Sequence, residues 1–187
     1  MDIRDIKIIR SKRKNAALEI KPDGTVIIRA PIRLSYKEIE SFALRHMDWI
    51  DGKLASLKKE MADFSKDDIL SEEELRNLTE AAKKYIPGRV RFYADKIGVD
   101  YGRITIRRQK TRWGSCSSLG NLNFNCLLML TPPEVIDSVV VHELCHRKHM
   151  NHSSDFYSEI LKVFPEYYTH QKWLKENGRR LMRRLIG

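Results

Sequence analysis

Long apolar runs are missing from this chain of 187 residues; no stretch approaches the roughly 18 consecutive apolar residues of a membrane span. The first residues, Met1-Asp2-Ile3-Arg4-Asp5, alternate charge with isoleucine and lack the apolar stretch of a secretory signal. Cysteine is scarce as well. Cys116, Cys126 and Cys145 make an odd count without C-x-x-C spacing, which argues against a disulfide framework and for a reducing, cytoplasmic home. Internal repeats and low-complexity tracts are absent too. No membrane partner is expected.

Basic residues, by contrast, are plentiful. The chain has 35 Lys+Arg against 25 Asp+Glu, a formal charge of +10. That excess favours nucleic acid, an acidic protein or an anionic surface, yet names none of them, and a well-solvated basic surface explains it equally. Part of it is Arg179, Arg180, Arg183 and Arg184, flanking Leu181, Met182, Leu185 and Ile186 as on the end of an amphipathic helix. No zinc finger with paired cysteines and no aromatic RNA-binding signature is legible. The 42% hydrophobic fraction is enough for one core, or one core with a small appendage.

Strands are expected at Ile6 to Arg10, Ala16 to Ile20 and Thr25 to Ala30, with Pro22-Asp23-Gly24 as a turn. A long helix then runs from Ser35 to Met61, its stripe being Ile39, Phe42, Ala43, Ile50, Leu54, Leu57 and Met61. The polar stretch Asp63 to Asp68 marks a boundary, giving an N-terminal region 1–63 packed on a core 64–187. Ser71 and Glu74 form a capping box for a second helix, interrupted near Pro87-Gly88 on its way to Ile97. Strands return at Ile104 to Arg108 and Trp113 to Ser117, and Gly120-Asn121 turns the chain into a third, Leu122 to Leu128. Thr131 as N-cap, then Pro132, Pro133 and Glu134, open a helix that passes through Val139, Val140 and Val141. Helices Ser154 to Phe164 and Glu166 to Leu185 follow.

That valine run leads into His142-Glu143-Leu144-Cys145-His146, an H-E-x-x-H pattern. On a helix His142 and His146 lie one turn apart on one face, so both imidazoles can reach one ion. Zinc suits imidazole nitrogen and lowers the pKa of a bound water to about 7 when a coordination position stays open. Glu143 beside the pair can take the proton of a water attacking a carbonyl and hand it to the leaving amine. Two structurally satisfied histidines are the bland alternative, but a pair without a ligand would sit awkwardly after a buried valine run.

A third ligand is needed. On a continuing helix His149 shares the face, yet it stands about 10 Å along the axis from His142 at about 1.5 Å per residue, beyond the reach of zinc–nitrogen bonds of about 2 Å. It is read as an outer group or a surface residue. His152 is favoured, brought back by a helix end at Met150-Asn151 with Asn151 left-handed. Asp155 and Glu159 are the alternatives. The spacing to His152 equals that of the metzincins, but His149 stands where they carry glycine. Cys145 points around the helix towards packing. Tyr157, Tyr167, Tyr168 and His170 are candidate donors to a developing oxyanion.

The segments Arg112-Trp113-Gly114-Ser115-Cys116-Ser117-Ser118, Leu122-Asn123-Phe124-Asn125, Pro132-Pro133-Glu134, Val141-His142-Glu143-Leu144-Cys145-His146 and Asn151-His152-Ser153, with Phe156, together resemble the YgjP-like metallopeptidases. That family is related to the SprT-like and Wss-like proteases and shares a compact zincin core. The resemblance implies His142, His146 and His152 as zinc ligands, Glu143 as general base, and a cleft bordered by Arg112, Trp113, Gly114 and Ser115 as substrate-binding residues. An edge strand there could pair with an extended peptide.

The expectation is therefore an α+β protein: a compact zincin-like core with a small N-terminal region of β-strands and a long helix. Its expected activity is zinc-dependent peptide hydrolysis, with one Zn2+ per chain and a peptide or unfolded protein as substrate. The competing expectation is a basic nucleic-acid-associated module with structural zinc, or a protease acting on DNA-bound proteins.

Overall fold

The computed structural model describes residues 5–21, 23–62 and 68–185, without the side chains of residues 60–62. The chain divides into two compact units, Met1–Ser65 and Lys66–Gly187. The boundary expected across Asp63 to Asp68 falls largely outside the described residues.

In the first unit, β1 (Lys7–Ser11), β2 (Ala17–Ile20) and β3 (Val26–Pro31) form a sheet of order β1-β3-β2. Strand β3 pairs parallel to β1 and antiparallel to β2. It is the central strand, and Val26, Ile27 and Ile28 are buried accordingly. The expected long helix is two helices, α1 (Tyr36–Arg45) and α2 (Met47–Ala62). Ser35 and Glu38 close a capping box at the start of α1. The break comes at His46, whose Nδ1 donates to the Phe42 carbonyl at 2.8 Å. The apolar stripe survives the break, because Ile39, Ala43, Ile50 and Leu57 are all buried. The side chain of Met61 lies outside the described ones.

The second unit opens with α3 (Glu72–Ile97), started by the Ser71/Glu74 capping box and stopped at Gly98 in the left-handed conformation (φ 72°). The interruption expected at Pro87-Gly88 does not occur. A proline inside a helix costs about 3 kcal/mol; here Ala82, Ile86, Val90, Tyr93, Ala94 and Ile97 bury one face of the helix across that point and outweigh it.

A mixed sheet of order β4-β6-β5 follows, from β4 (Ile104–Arg107), β5 (Gly114–Cys116) and β6 (Leu122–Asn125). Strands β5 and β6 form the expected hairpin, with Gly114 opposite Phe124. Strand β6 is shorter than expected. The chain turns at Cys126–Leu130 into a 3-10 helix, because the buried Asn125 side chain accepts from the Leu127 amide at 3.1 Å.

Helix α4 (Pro133–Cys145) carries the H-E-x-x-H pattern, and α5 (Ser154–Val163) and α6 (Tyr167–Arg183) complete the unit. Thr131 is not the N-cap of α4. Its hydroxyl donates back to the Leu128 carbonyl at 2.8 Å, and Pro132 occupies the cap position. Helix α4 is held to α3 by a bidentate pair in which Arg89 reaches both Asp137 oxygens, at 2.7 and 2.6 Å, with the Tyr93 hydroxyl donating at 3.1 Å. Among the described residues no helix is long and apolar enough to cross a membrane.

Candidate metal centre and cleft

Val139, His142 and Glu143 of α4 and its cap residue His146 are related by three- and four-residue steps and so share one helical face. Glu143 is 6% and His146 8% exposed. The helix ends earlier than the sequence suggests, at Cys145 with His146 as its cap. The bend at Met150-Asn151 needs no left-handed asparagine, since no described non-glycine residue has positive φ. From there the chain returns His152 to the pair. One ligand-capable atom from each of His142, His146 and His152 lies within 4.8 Å of the others, a group that could hold a metal ion.

Their orientation is set from outside the cluster. The Nδ1 of His146 faces the His149 carbonyl at 3.0 Å, which can only accept; Nδ1 therefore carries the proton and Nε2 the lone pair. His149 thus serves the site through its backbone, not its ring. The Nδ1 of His142 lies 2.7 Å from the Tyr167 hydroxyl, leaving its Nε2 to face His152 Nε2 at 3.1 Å. Two ring nitrogens so close are favourable with the N–H of one neutral ring, or a bound cation, between them. Burial, with His146 and His152 nearby, pushes the His142 pKa down to about 3, so the ring is neutral near neutrality and keeps a lone pair to offer an ion. The donor set therefore fits a divalent cation that accepts imidazole nitrogen.

Beneath the three rings lies Phe156, fully buried, with centroids 5.0, 4.6 and 4.9 Å from those of His142, His146 and His152. The Ser153 hydroxyl caps α5 three residues ahead and sets this ring in place. Of the other candidates, Glu159 is engaged by Lys148 and Lys162, at 2.5 and 3.1 Å, and Asp155 is exposed outside the cluster.

Burial pushes the Glu143 carboxyl up to about 8, opposed by the charge of Arg112. Glu143 also meets β5 closely. A Cβ built on Gly114 would lie 2.6 Å from Glu143 Oε1 and 2.7 Å from its Cγ. Glycine is required there because any side chain would displace the carboxylate.

A cavity of about 230 Å³ opens beside these groups, walled by Arg112, Trp113 and Gly114 on one side and Val139, His142 and Glu143 on another. Ser115 is not part of the wall; its hydroxyl accepts from Asn123 Nδ2 at 3.1 Å. The third wall, Gln171 and Leu174 of α6, is absent from the sequence reading. Tyr167, Gln171, Leu174 and Gly178 recur at four-, three- and four-residue steps on α6. The first reaches His142, the next two line the cavity, and the last admits the Trp113 indole, whose Cζ2 would be 3.1 Å from a Cβ at position 178. That spacing was the available signal. Cys145 is fully buried away from the cluster, as its helical position predicts, and all three cysteines are free.

An α+β core with three converging imidazoles, a buried carboxylate and an adjoining cleft defines a metal-dependent hydrolase. The model of the YgjP-like metallopeptidase domain matches residues 14–78 and 70–177, and the chain belongs to this YgjP-like metallopeptidase family. Among solved structures it is similar to the metallopeptidase zymogen abylysin of Pyrococcus abyssi, at 24% identity over 50% of this chain and 96% of that one, TM-score 0.46. It is also similar to the metallopeptidase zymogen jannalysin of Methanocaldococcus jannaschii, at 21% identity over 49% and 94%, TM-score 0.44. No curated protein matches the chain.

Proposed function

We propose that the chain is a zinc-dependent peptidase in which His142, His146 and His152 hold one Zn2+ and Glu143 is the general base. The observation that carries this reading is the convergence of three imidazoles within 4.8 Å, with no fourth ligand beside them among the described residues, next to a buried carboxylate. Three protein ligands leave a coordination position for chemistry, where a fourth would close the site. Zinc, when bound, would polarise the scissile carbonyl and acidify a water molecule.

The protein's own residues do the rest. Glu143 accepts a proton from the attacking water and returns it to the departing amine. Tyr167 and the His149 carbonyl keep two imidazoles turned to the centre. Strand β5, at the edge of its sheet and against Glu143, offers backbone groups to an extended substrate segment, whose side chain enters the cavity between Trp113 and Leu174. A cytoplasmic location belongs to the same reading, since three unpaired cysteines suit a reducing compartment.

Metal analysis of the purified protein, together with hydrolysis of an unfolded protein by wild type and Glu143→Gln, tests it. One zinc per chain is expected in both, and activity should fall by about 100-fold or more in the variant. A variant that keeps its zinc and its activity would remove Glu143 from the mechanism.

A further inference from the structure

Two residues that line the cavity carry polar side chains that the hydrolytic chemistry does not use, the exposed Arg112 and the half-buried Gln171. No side-chain hydrogen bond or ion pair engages either among the described residues. They differ from ordinary surface polar groups in how they are mounted. The Arg112 backbone is anchored, its carbonyl accepting from the fully buried Asn125 Nδ2 at 2.9 Å. The same Nδ2 holds the Gln109 carbonyl at 2.6 Å, so the loop before β5 is tied at two points. The next residue, Trp113, is seated against Gly178. Gln171 stands one helical turn before the buried Leu174 and one turn after Tyr167, which reaches His142. Both side chains are thus carried on anchored backbone at a cavity whose remaining lining beside the ring and carboxylate is apolar: Trp113, Gly114, Val139 and Leu174.

An apolar cavity with few fixed polar groups reads its ligand through those groups. A guanidinium offers paired N–H donors and a positive charge, and a neighbouring amide adds a further donor. That combination matches a carboxylate. The cavity's own carboxylate, Glu143, is buried against Gly114 and feels the Arg112 charge without forming an ion pair with it.

Resting on the peptidase reading, we infer that Arg112 and Gln171 form a specificity subsite that binds a substrate carboxylate beside the scissile bond. That carboxylate is either an Asp or Glu side chain or a free C-terminus. Both sources present the same planar anion, and the apolar walls receive the carbon chain that bears it.

The test compares zinc-loaded wild type, Arg112→Gln and Arg112→Lys on matched peptides differing only in Glu against Gln, or a free against an amidated C-terminus. The wild type is expected to prefer the carboxylate-bearing member of one pair by about tenfold or more, as a charge-assisted contact implies. Whichever pair shows the preference identifies the source. The preference should collapse in Arg112→Gln and return in part in Arg112→Lys. A binding measurement free of turnover accompanies it: the labelled peptides are titrated onto Glu143→Gln, alone and combined with Arg112→Gln, and the same ratio and its loss are expected. Equal rates on both members of each pair overturn the subsite and leave peptide hydrolysis standing, as does a preference that persists in Arg112→Gln. Zinc-loaded wild type that cleaves no peptide of either pair, nor unfolded protein, fails the peptidase reading itself.

Discussion

Gly114 and Glu143 are in such close contact that a single methyl group cannot fit between them; a Cβ at position 114 would lie within 2.9 Å of three Glu143 atoms, Oε1, Cγ and Cδ. The strand edge and the general base candidate therefore share one position in space, and each fixes where the other stands. Gly114→Ala is expected to push the carboxylate aside, because the helix backbone beneath it is buried. Displacing a reacting group by about 1 Å lowers rates by roughly 100-fold, so kcat should fall by about that factor while zinc stoichiometry is retained. An unchanged kcat would show that the carboxylate has room to move.

Tyr167→Phe removes only the hydroxyl that meets His142 Nδ1 and leaves the stacked ring in place. Loss of such an outer partner weakens metal binding by about 10- to 100-fold. Competition with a chromophoric chelator measures the shift directly, without reference to activity. Should zinc affinity stay the same, His142 is oriented by packing on Phe156 alone.

Asn125→Ala strands the Gln109 and Arg112 carbonyls and the Leu127 amide around a fully buried side chain. An unsatisfied buried polar group costs roughly 1–3 kcal/mol, so a total loss of about 2–4 kcal/mol is expected in urea unfolding. A loss below about 1 kcal/mol would mean that water replaces the amide and that the loop is not held by it.

The pH dependence of the metal-free protein follows from Glu143. Its carboxyl is raised from the ordinary 4.5 to about 8 by burial. Across that window the folded chain keeps a proton that the unfolded chain has released, so stability falls as pH rises and the full penalty is reached above pH 8. Glu143→Gln has no proton to lose. Stripped of metal, it should match wild type below pH 4.5 and exceed it above pH 8, as read from urea titrations at both ends. The His142 titration is common to the two proteins and cancels. Parallel stability curves across the whole range would contradict a buried, protonated Glu143.

Much of the site is legible along the chain because its chemistry is local. His142, Glu143 and His146 share a helical face by spacing alone, and Ser35/Glu38 and Ser71/Glu74 announce helix starts through bonds that span three residues. The hairpin turn was legible for the same reason, Gly120 supplying the positive φ of 78° that it needs. Such features depend on backbone geometry within one or two turns, which the order of residues fixes directly.

Where local preference and packing compete, the tertiary structure decides. Pro87 signals a break, yet the buried face of α3 holds the helix through it. A periodic stripe signals one helix from Ser35 to Met61, yet the chain breaks at His46, where the ring bonds the carbonyl of Phe42. The contacts that complete the site join residues far apart in the chain: Tyr167 to His142 across 25 residues, and Asn125 to Met182 across 57. The sequence by itself determined the metal-site helix and the chemistry its residue types can perform. Only the tertiary structure decided between His152, which the sequence favoured, and Asp155 or Glu159 as the residue beside the pair, and settled that α6 walls the cleft and that position 114 must be glycine. These relations exist once separate elements have buried their apolar faces against one another, and no periodicity within a single element encodes them.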